Sequence, residues 1–136
     1  MKNNRLMHLA PPTILMRIVA IALACVWLGL GIVEQISPEG FTSMYGLEIA
    51  GEAGLTYVRG IGARNIALAS SIIAVSIIGI RAAMIILAFS LSLMSAIEFF
   101  ITLSVAGPMA GIRFVVFTIV LALIAVWYLV YPRAQE

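Results

Sequence analysis

The stretch Ser71–Val105, SIIAVSIIGIRAAMIILAFSLSLMSAIEFFITLSV, decides the fold of this chain. It contains two apolar runs joined at Gly79-Ile80-Arg81, and a helix crosses a bilayer with about 20 mostly apolar residues. Because the connection is very short, the two helices are expected to be antiparallel neighbours. Glu98 interrupts the second run, and a charge inside a bilayer is costly and usually kept for a reason. The stretch therefore predicts a helical hairpin in a membrane, with a polar site inside it.

The apolar pattern continues on both sides of this hairpin and predicts one all-α domain with four transmembrane helices. The 136 residues are 63% hydrophobic and 10% charged, and their mean hydropathy of +1.15 is far too high for a soluble domain. Pro11-Pro12 opens the first helix, since proline tolerates the first helical turn, and Gly107-Pro108 separates the last two. The predicted helices cover residues 13–36, 55–80, 82–105 and 110–131.

The segment Ser37–Gly54 between the first two helices has a different composition. It combines one proline and four glycines with three glutamates and several bulky apolar residues. That mixture predicts a short interfacial loop or helix, lying at the membrane surface with its apolar side inward. A lid over the bundle and a partly ordered connector both fit this composition.

Loop charges predict the orientation of the helices, because cytoplasmic loops carry an excess of lysine and arginine. One side of the membrane receives Lys2, Arg5, Arg17, Arg81 and Arg133, and the other receives Glu39, Glu48 and Glu52. We therefore expect both termini in the cytoplasm and the chain in a bacterial inner membrane. Three of the basic residues are expected only to reach lipid head groups: Arg17, Arg81 and Arg133. Three aromatic residues are expected to form a belt at the cytoplasmic face: Trp127, Tyr128 and Tyr131.

Arg64 and Glu98 predict the centre of the polar site. At 1.5 Å per residue, Arg64 lies about 13 Å into the second helix, and Glu98 lies about 10 Å from the end of the third. Because these helices are expected to be antiparallel neighbours, the two depths nearly match, and a buried charge needs a partner. We therefore expect an Arg64–Glu98 ion pair, with Arg64 in the interior of the bundle.

Further polar residues on the same half of the helices are expected to complete a cavity. Glu34 ends the first helix, while Arg59 and Arg113 lie near the starts of the second and fourth. With Arg64 and Glu98, these groups sum to a charge of +1, which suits a small anionic or polar head group held by bidentate arginine hydrogen bonds. The candidate ligand-binding residues are Arg64, Arg59, Arg113, Asn65 and Tyr57. Ser95 and Thr102 are candidates for the polar lining.

The sequence predicts no metal centre and no cofactor. The only histidine, His8, precedes the first helix, and no His/Cys/carboxylate cluster has metal-ligand spacing. The single cysteine, Cys25, excludes an intrachain disulfide. Scattered basic residues and a net charge of +2 make nucleic acid an unexpected partner. The expected partners are membrane lipid and a second copy of the chain, since small residues such as Gly29 and Gly31 allow helices to pack closely.

Two short motifs carry a resemblance to a known group of proteins. Tyr45-Gly46-Leu47, followed by YVRGIGARNIAL at residues 57–68, resembles the small four-helix membrane proteins related to DoxX, especially their relatives of unknown function. In those proteins a proline and a Tyr-Gly-Leu-type turn follow the first helix, and the second begins with an Arg-Gly-x-Gly-x-Arg-Asp-like pattern. Asn65 stands where those relatives often have aspartate. The resemblance implies a four-helix bundle with a polar patch at the start of the second helix, and little about activity.

Three classes of function fit these observations. The favoured one is binding of a small amphipathic molecule, such as a quinone, a lipid or an organic acid, in a cavity lined by Arg64, Glu98 and Glu34. The second is a membrane enzyme, an isomerase, cyclase or hydrolase, with Glu98 or Glu34 as general acid or base. The third is a small proton-coupled transporter, ranked last because Glu34 lies near the end of its helix.

Overall fold

The computed structural model describes residues 11–44, 51–106 and 108–130. These ranges form five α-helices and contain no strand, which confirms the all-α prediction. The helices are α1 (Ile14–Ile36), α2 (Pro38–Met44), α3 (Gly51–Ile78), α4 (Arg81–Ala106) and α5 (Pro108–Val130). The largest departure from the predicted boundaries is at α3, which begins at Gly51 instead of Leu55.

Local sequence explains where the helices begin and end. Thr13 caps α1, and its side-chain oxygen accepts a hydrogen bond from the Met16 amide at 3.3 Å, as N-cap threonines do. Gly79 has a φ of +82° between α3 and α4, a conformation that costs other residues more than glycine. α5 begins at Pro108, where proline's missing amide hydrogen breaks no helical bond.

Three helices are long and apolar enough to cross a membrane. These spans are Ile14–Ile36, Gly51–Ile78 and Arg81–Ser104, and α5 contributes a shorter apolar stretch, Phe114–Val130. Many large apolar side chains on α1, α4 and α5 point outward and are exposed, which suits contact with lipid. These helices indicate a membrane protein.

The long helices pack chiefly as two pairs, α1 with α3 and α4 with α5. The short connection between α3 and α4 predicted these two as close neighbours, but they touch much less extensively than either pair. A short turn fixes only one end of two helices, whereas small residues and side-chain hydrogen bonds set how closely they pack. In the α4–α5 pair, the hydroxyl of Ser92 donates to the Thr118 carbonyl at 3.0 Å, and that of Ser95 donates to the Phe114 carbonyl at 3.1 Å.

The two pairs meet in a shared hydrophobic core at the end of the bundle where α3 turns into α4. Its buried residues are Met16, Ala20, Met84 and Tyr128. The Tyr128 hydroxyl donates to the Met16 carbonyl at 2.6 Å and so joins α5 to α1. The prediction of Tyr128 in an aromatic belt at the membrane surface is therefore wrong, because a buried acceptor satisfies its hydroxyl. Tyr131 lies outside the described residues.

Two arginines at this end bind the carboxyl ends of neighbouring helices. Arg17 Nη1 donates to the Ile77 carbonyl at 3.4 Å, and Arg81 Nε donates to the Tyr128 carbonyl at 2.7 Å. The last carbonyls of a helix lack intrahelical partners and carry partial negative charge, so cations are favoured there. The expectation that both side chains only reach lipid head groups is wrong for this reason. Arg133 lies outside the described residues.

The sequence predicted either a short loop or a short helix between α1 and α3, and the described part of this segment is a helix. α2 has seven residues, Pro38–Met44, of which Pro38 and Thr42 are buried. The Thr42 hydroxyl donates to the Glu39 carbonyl at 3.0 Å, within the helix. Residues 45–50, which include the Tyr-Gly-Leu motif and Glu48, lie outside the described residues.

Candidate functional site

The site begins where the backbones of α1 and α3 pack tightly against each other. A Cβ built on Gly62 would lie 2.8 Å from the Cβ of Glu34 and 2.8 Å from the carbonyl oxygen of Gly31. The absence of side chains at both glycines therefore lets Glu34 lie directly against the backbone of α3. Glu34 is 3% exposed as a result, although glutamate is rarely buried so completely unless it is paired.

Glu34 and Asn65 form a buried hydrogen-bonded pair between α1 and α3, which we call the inner pair. Asn65 Nδ2 donates to Glu34 Oε2 at 2.8 Å, and Asn65 is 6% exposed. The other end of the amide, Asn65 Oδ1, is buried without a partner. An unpaired buried acceptor costs about 1–3 kcal/mol, so the inner pair is incompletely satisfied by the described side chains.

Arg64 and Glu98 form an ion pair between α3 and α4, which we call the outer pair. Arg64 Nη2 donates to Glu98 Oε1 at 2.8 Å, so the predicted contact is confirmed. The predicted interior position of Arg64 is wrong, because its side chain is 43% exposed and that of Glu98 is 27% exposed. Consecutive helical residues are about 100° apart, and it is Asn65 that faces the interior.

The inner and outer pairs are close enough to interact electrostatically. Arg64 attracts the carboxylate of Glu34, and Glu98 repels it. With Glu34 ionised, these three side chains carry a formal charge of −1; the sum of +1 expected from the sequence also counted Arg59, which lies apart, and Arg113, whose side chain is outside the described residues. We refer to Glu34, Asn65, Arg64 and Glu98 together as the polar cluster.

Two predicted site residues lie apart from the polar cluster. Arg59 pairs with Glu52 on the surface of α3 at 3.5 Å, and its carbonyl accepts a hydrogen bond from Gln35 Nε2. Tyr57 is 71% exposed. Arg59 lies about 140° around α3 from Arg64, which explains why the two arginines do not converge. The side chain of Arg113 lies outside the described residues.

Two polar residues proposed for the lining differ in their placement. Ser95 is buried, and its hydroxyl donates a hydrogen bond to the Phe114 carbonyl of α5. Ser95 therefore joins α4 to α5 instead of facing a cavity. Thr102 is only partly buried, one turn beyond Glu98 on α4. The described residues contain no group of three or more His, Cys, Asp or Glu side chains placed to hold a metal ion.

A separate cavity of about 30 Å³ lies between the four long helices, next to the hydrophobic core. Its lining includes Ala20, Leu23, Trp27, Ile72, Leu91 and Leu121. The charged residues of the sequence predict a polar cavity, and this apolar one was not predicted. The sequence signal for this cavity was the small size of Ala20 and Ala88, which leaves space between the helices that these residues line. Along α4, Leu91 and Glu98 are about 10 Å apart.

The helices and the polar cluster define a class of small α-helical membrane protein with charged residues between its spans. Comparison with known families then places the chain: the model of a domain of unknown function (DUF4267) matches residues 24–130. The chain belongs to this family. Neither the curated proteins nor the solved structures contain a significant match to it. The relationship to DoxX and the acid–base roles of Glu98 and Glu34 stay predictions.

Proposed function

We propose that this chain binds a small amphipathic molecule, whose polar group contacts the polar cluster and whose apolar part lies towards the apolar cavity. The observation that supports the proposal is the inner pair. Asn65 Oδ1 is buried without a partner beside a buried glutamate, and buried polar groups in proteins nearly always have one. A bound polar group is a partner that would remove this cost.

The outer pair supports an opening through which such a molecule could reach the inner pair. A purely architectural ion pair in a membrane is expected to be enclosed, because charges facing lipid are costly. Arg64 and Glu98 instead remain 43% and 27% exposed. They lie beside the inner pair, at the contact between α3 and α4, which is less extensive than the contacts within the two helix pairs.

The proposal includes a fourth transmembrane helix. α5 has 23 residues, which at 1.5 Å per residue gives about 34 Å, enough for a hydrocarbon core of about 30 Å. With four spans both termini lie on one side of the membrane. The lysine and arginine bias favours the cytoplasm, and we propose the inner membrane of a bacterium as the location. A homo-oligomer remains part of the proposal, since α3 presents exposed small residues such as Gly60.

Native mass spectrometry of the protein, extracted from its membrane in a mild detergent, tests this proposal. We expect the wild type to carry a bound molecule of discrete mass. The double variant Arg64→Ala/Glu98→Ala should lose most of it, because the variant removes half of the polar cluster. Arg59→Ala is the matched control, since Arg59 is an arginine of the same helix that lies apart from the cluster.

Two results would contradict the proposal. One is a wild-type spectrum without any bound molecule beyond detergent, combined with no change in thermal stability when membrane extract is added. The other is a bound molecule that the double variant retains in full. Loss of the molecule in Arg59→Ala as well as in the double variant would point to general destabilisation, which a circular dichroism spectrum of each variant checks.

A further inference from the structure

We infer that the polar group bound by the polar cluster is a primary ammonium, which donates N–H hydrogen bonds and carries a positive charge. This inference rests on the proposed function and names the chemistry of its ligand. It begins with Asn65 Oδ1, which is an acceptor, is buried and lacks a partner. Only a group that donates a hydrogen bond can satisfy it.

The second step is the charge of the site. Glu34 is buried, and its direct hydrogen-bond partner is the neutral amide of Asn65, not a cation. Arg64 acts on Glu34 through space while it is hydrogen-bonded to Glu98. When Glu34 is ionised, two carboxylates share one guanidinium, and buried charges are stable only when they are compensated. With Glu34 ionised, a ligand with a positive charge would bring the formal sum of the four described side chains from −1 to zero.

The third step is the competition that an acidic ligand would face. A carboxylate or phosphate would have to share Arg64 with Glu98, which already holds it at 2.8 Å. It would also meet the oxygen of Asn65 and, when Glu34 is ionised, a second negative charge, and like charges brought together are unfavourable. The site therefore disfavours the organic acids and anionic head groups that the sequence alone allowed.

A primary ammonium fits both requirements, since it is a compact charge with three donors. Two sources supply this chemistry in a membrane: a single-chain amine, and the ethanolamine head group of a phospholipid. A quaternary ammonium has the charge without a donor, and an alcohol has the donor without the charge. Comparing these three chemistries, primary ammonium, quaternary ammonium and alcohol, with a carboxylate tests the charge and the donor separately.

The test measures the thermal unfolding midpoint of the purified protein in dodecyl maltoside, with one added amphiphile at a time. The amphiphiles are dodecylammonium, dodecyltrimethylammonium, dodecanol and dodecanoate, which share one alkyl chain. We expect dodecylammonium to raise the midpoint by roughly 9 °C at a hundredfold excess over its dissociation constant. The other three should raise it by less than half as much.

Two variants connect the effect to the site. Glu34→Gln keeps the shape and removes the charge, and we expect it to bind dodecylammonium at least about tenfold more weakly, since hydrogen bonds to charged groups are among the stronger ones. Ser76→Ala is the matched control. Ser76 is 0% exposed, and its hydroxyl is also buried without a partner, but it lies about 16 Å further along α3. This variant should respond to dodecylammonium like the wild type.

The two sources are separated by reconstitution into nanodiscs of phosphatidylethanolamine or phosphatidylcholine. A higher midpoint in ethanolamine lipid that disappears in Glu34→Gln identifies the phospholipid head group as the ligand. Equal midpoints in the two lipids, with the dodecylammonium effect intact in detergent, identify a single-chain amine. Either result supports the inference.

The inference is overturned if dodecanoate stabilises the wild type most, or if dodecyltrimethylammonium matches dodecylammonium. Either result leaves the proposed function standing, because an amphiphile still binds. If no amphiphile stabilises the protein although its native mass spectrum shows a bound molecule, the inference of an ammonium ligand fails and the proposed function still stands. If Glu34→Gln does not fold, the comparison of the amphiphiles on the wild type decides.

Discussion

Gly31 and Gly62 face each other across a close contact between α1 and α3. A Cβ on Gly31 would lie 2.9 Å from the carbonyl oxygen of Gly62, and one on Gly62 would lie 2.8 Å from that of Gly31. Because backbone atoms cannot move aside as the end of a flexible side chain can, no other residue fits either position without moving the helices. This contact places Glu34 and Asn65 within hydrogen-bond distance.

Gly62→Ala is therefore expected to destabilise the protein by about 1–3 kcal/mol, the usual cost of overpacking. Gly60→Ala is the control on the same helix, since a Cβ there meets nothing within 4 Å. Alanine favours a helix more than glycine does, so Gly60→Ala should be neutral or stabilising by up to about 1 kcal/mol. Thermal unfolding in detergent measures both. Equal stability of the two variants would mean that α1 and α3 are not in this close contact.

Tyr128→Phe is expected to lower stability by about 1 kcal/mol, because it removes the hydrogen bond from the Tyr128 hydroxyl to the Met16 carbonyl in the buried core. Tyr57→Phe makes the same chemical change on an exposed side chain and should change stability by less than about 0.5 kcal/mol. Chemical or thermal denaturation of the two variants, side by side, gives the comparison. A larger loss in Tyr57→Phe would contradict the described core.

Arg81→Ala is expected to destabilise the protein by at least about 2 kcal/mol, because Arg81 is 5% exposed and donates to the Tyr128 carbonyl. Arg59→Ala should cost no more than about 1 kcal/mol, since the Arg59–Glu52 pair is on the surface. Unfolding by heat in a single detergent ranks the two. The order would be reversed if Arg81 reached lipid head groups and Arg59 lay in the bundle.

Gly79→Ala should cost more than Gly51→Ala, although both glycines have a positive φ, of +82° and +83° respectively. Each substitution strains the backbone by about 1–2 kcal/mol. At Gly79 the added Cβ would also lie 2.1 Å from Arg17 Nη2 and displace it, whereas at Gly51 nothing lies within 4 Å. Adding Arg17→Ala to both variants should remove most of the difference. An unchanged difference would show that Arg17 does not pack on the turn.

Much of the fold was predictable because it depends on short-range signals. Apolar run length and the positions of proline and glycine predicted the ends of the long helices to within four residues. The Arg64–Glu98 contact was predictable as well, since depth along two antiparallel helices follows from counting residues. The exposure of Arg64 was not, because a difference of one residue rotates a side chain by about 100°, and no local signal sets that rotation.

The inner pair and the pairing of helices depend on contacts between distant residues. Glu34 and Asn65 are 31 residues apart, and only the approach of Gly31 to Gly62 brings them together. Arg17 and Arg81 resemble lipid-facing arginines in the sequence, and nothing local indicates that carbonyls of α3 and α5 lie within their reach. Sequence identified the charged residues that matter, while the fold determined which of them are partners.

The core of Met16, Met84 and Tyr128 closes one end of the described bundle. Arg17 and Arg81 bind backbone carbonyls at the same end. Under the proposed binding function, a ligand that enters from the exposed side of Glu34 would meet these packed side chains further in and would leave by the same side. Passage from one face of the membrane to the other would require the Tyr128–Met16 hydrogen bond to break. This closed end is the reason that we propose binding in preference to transport.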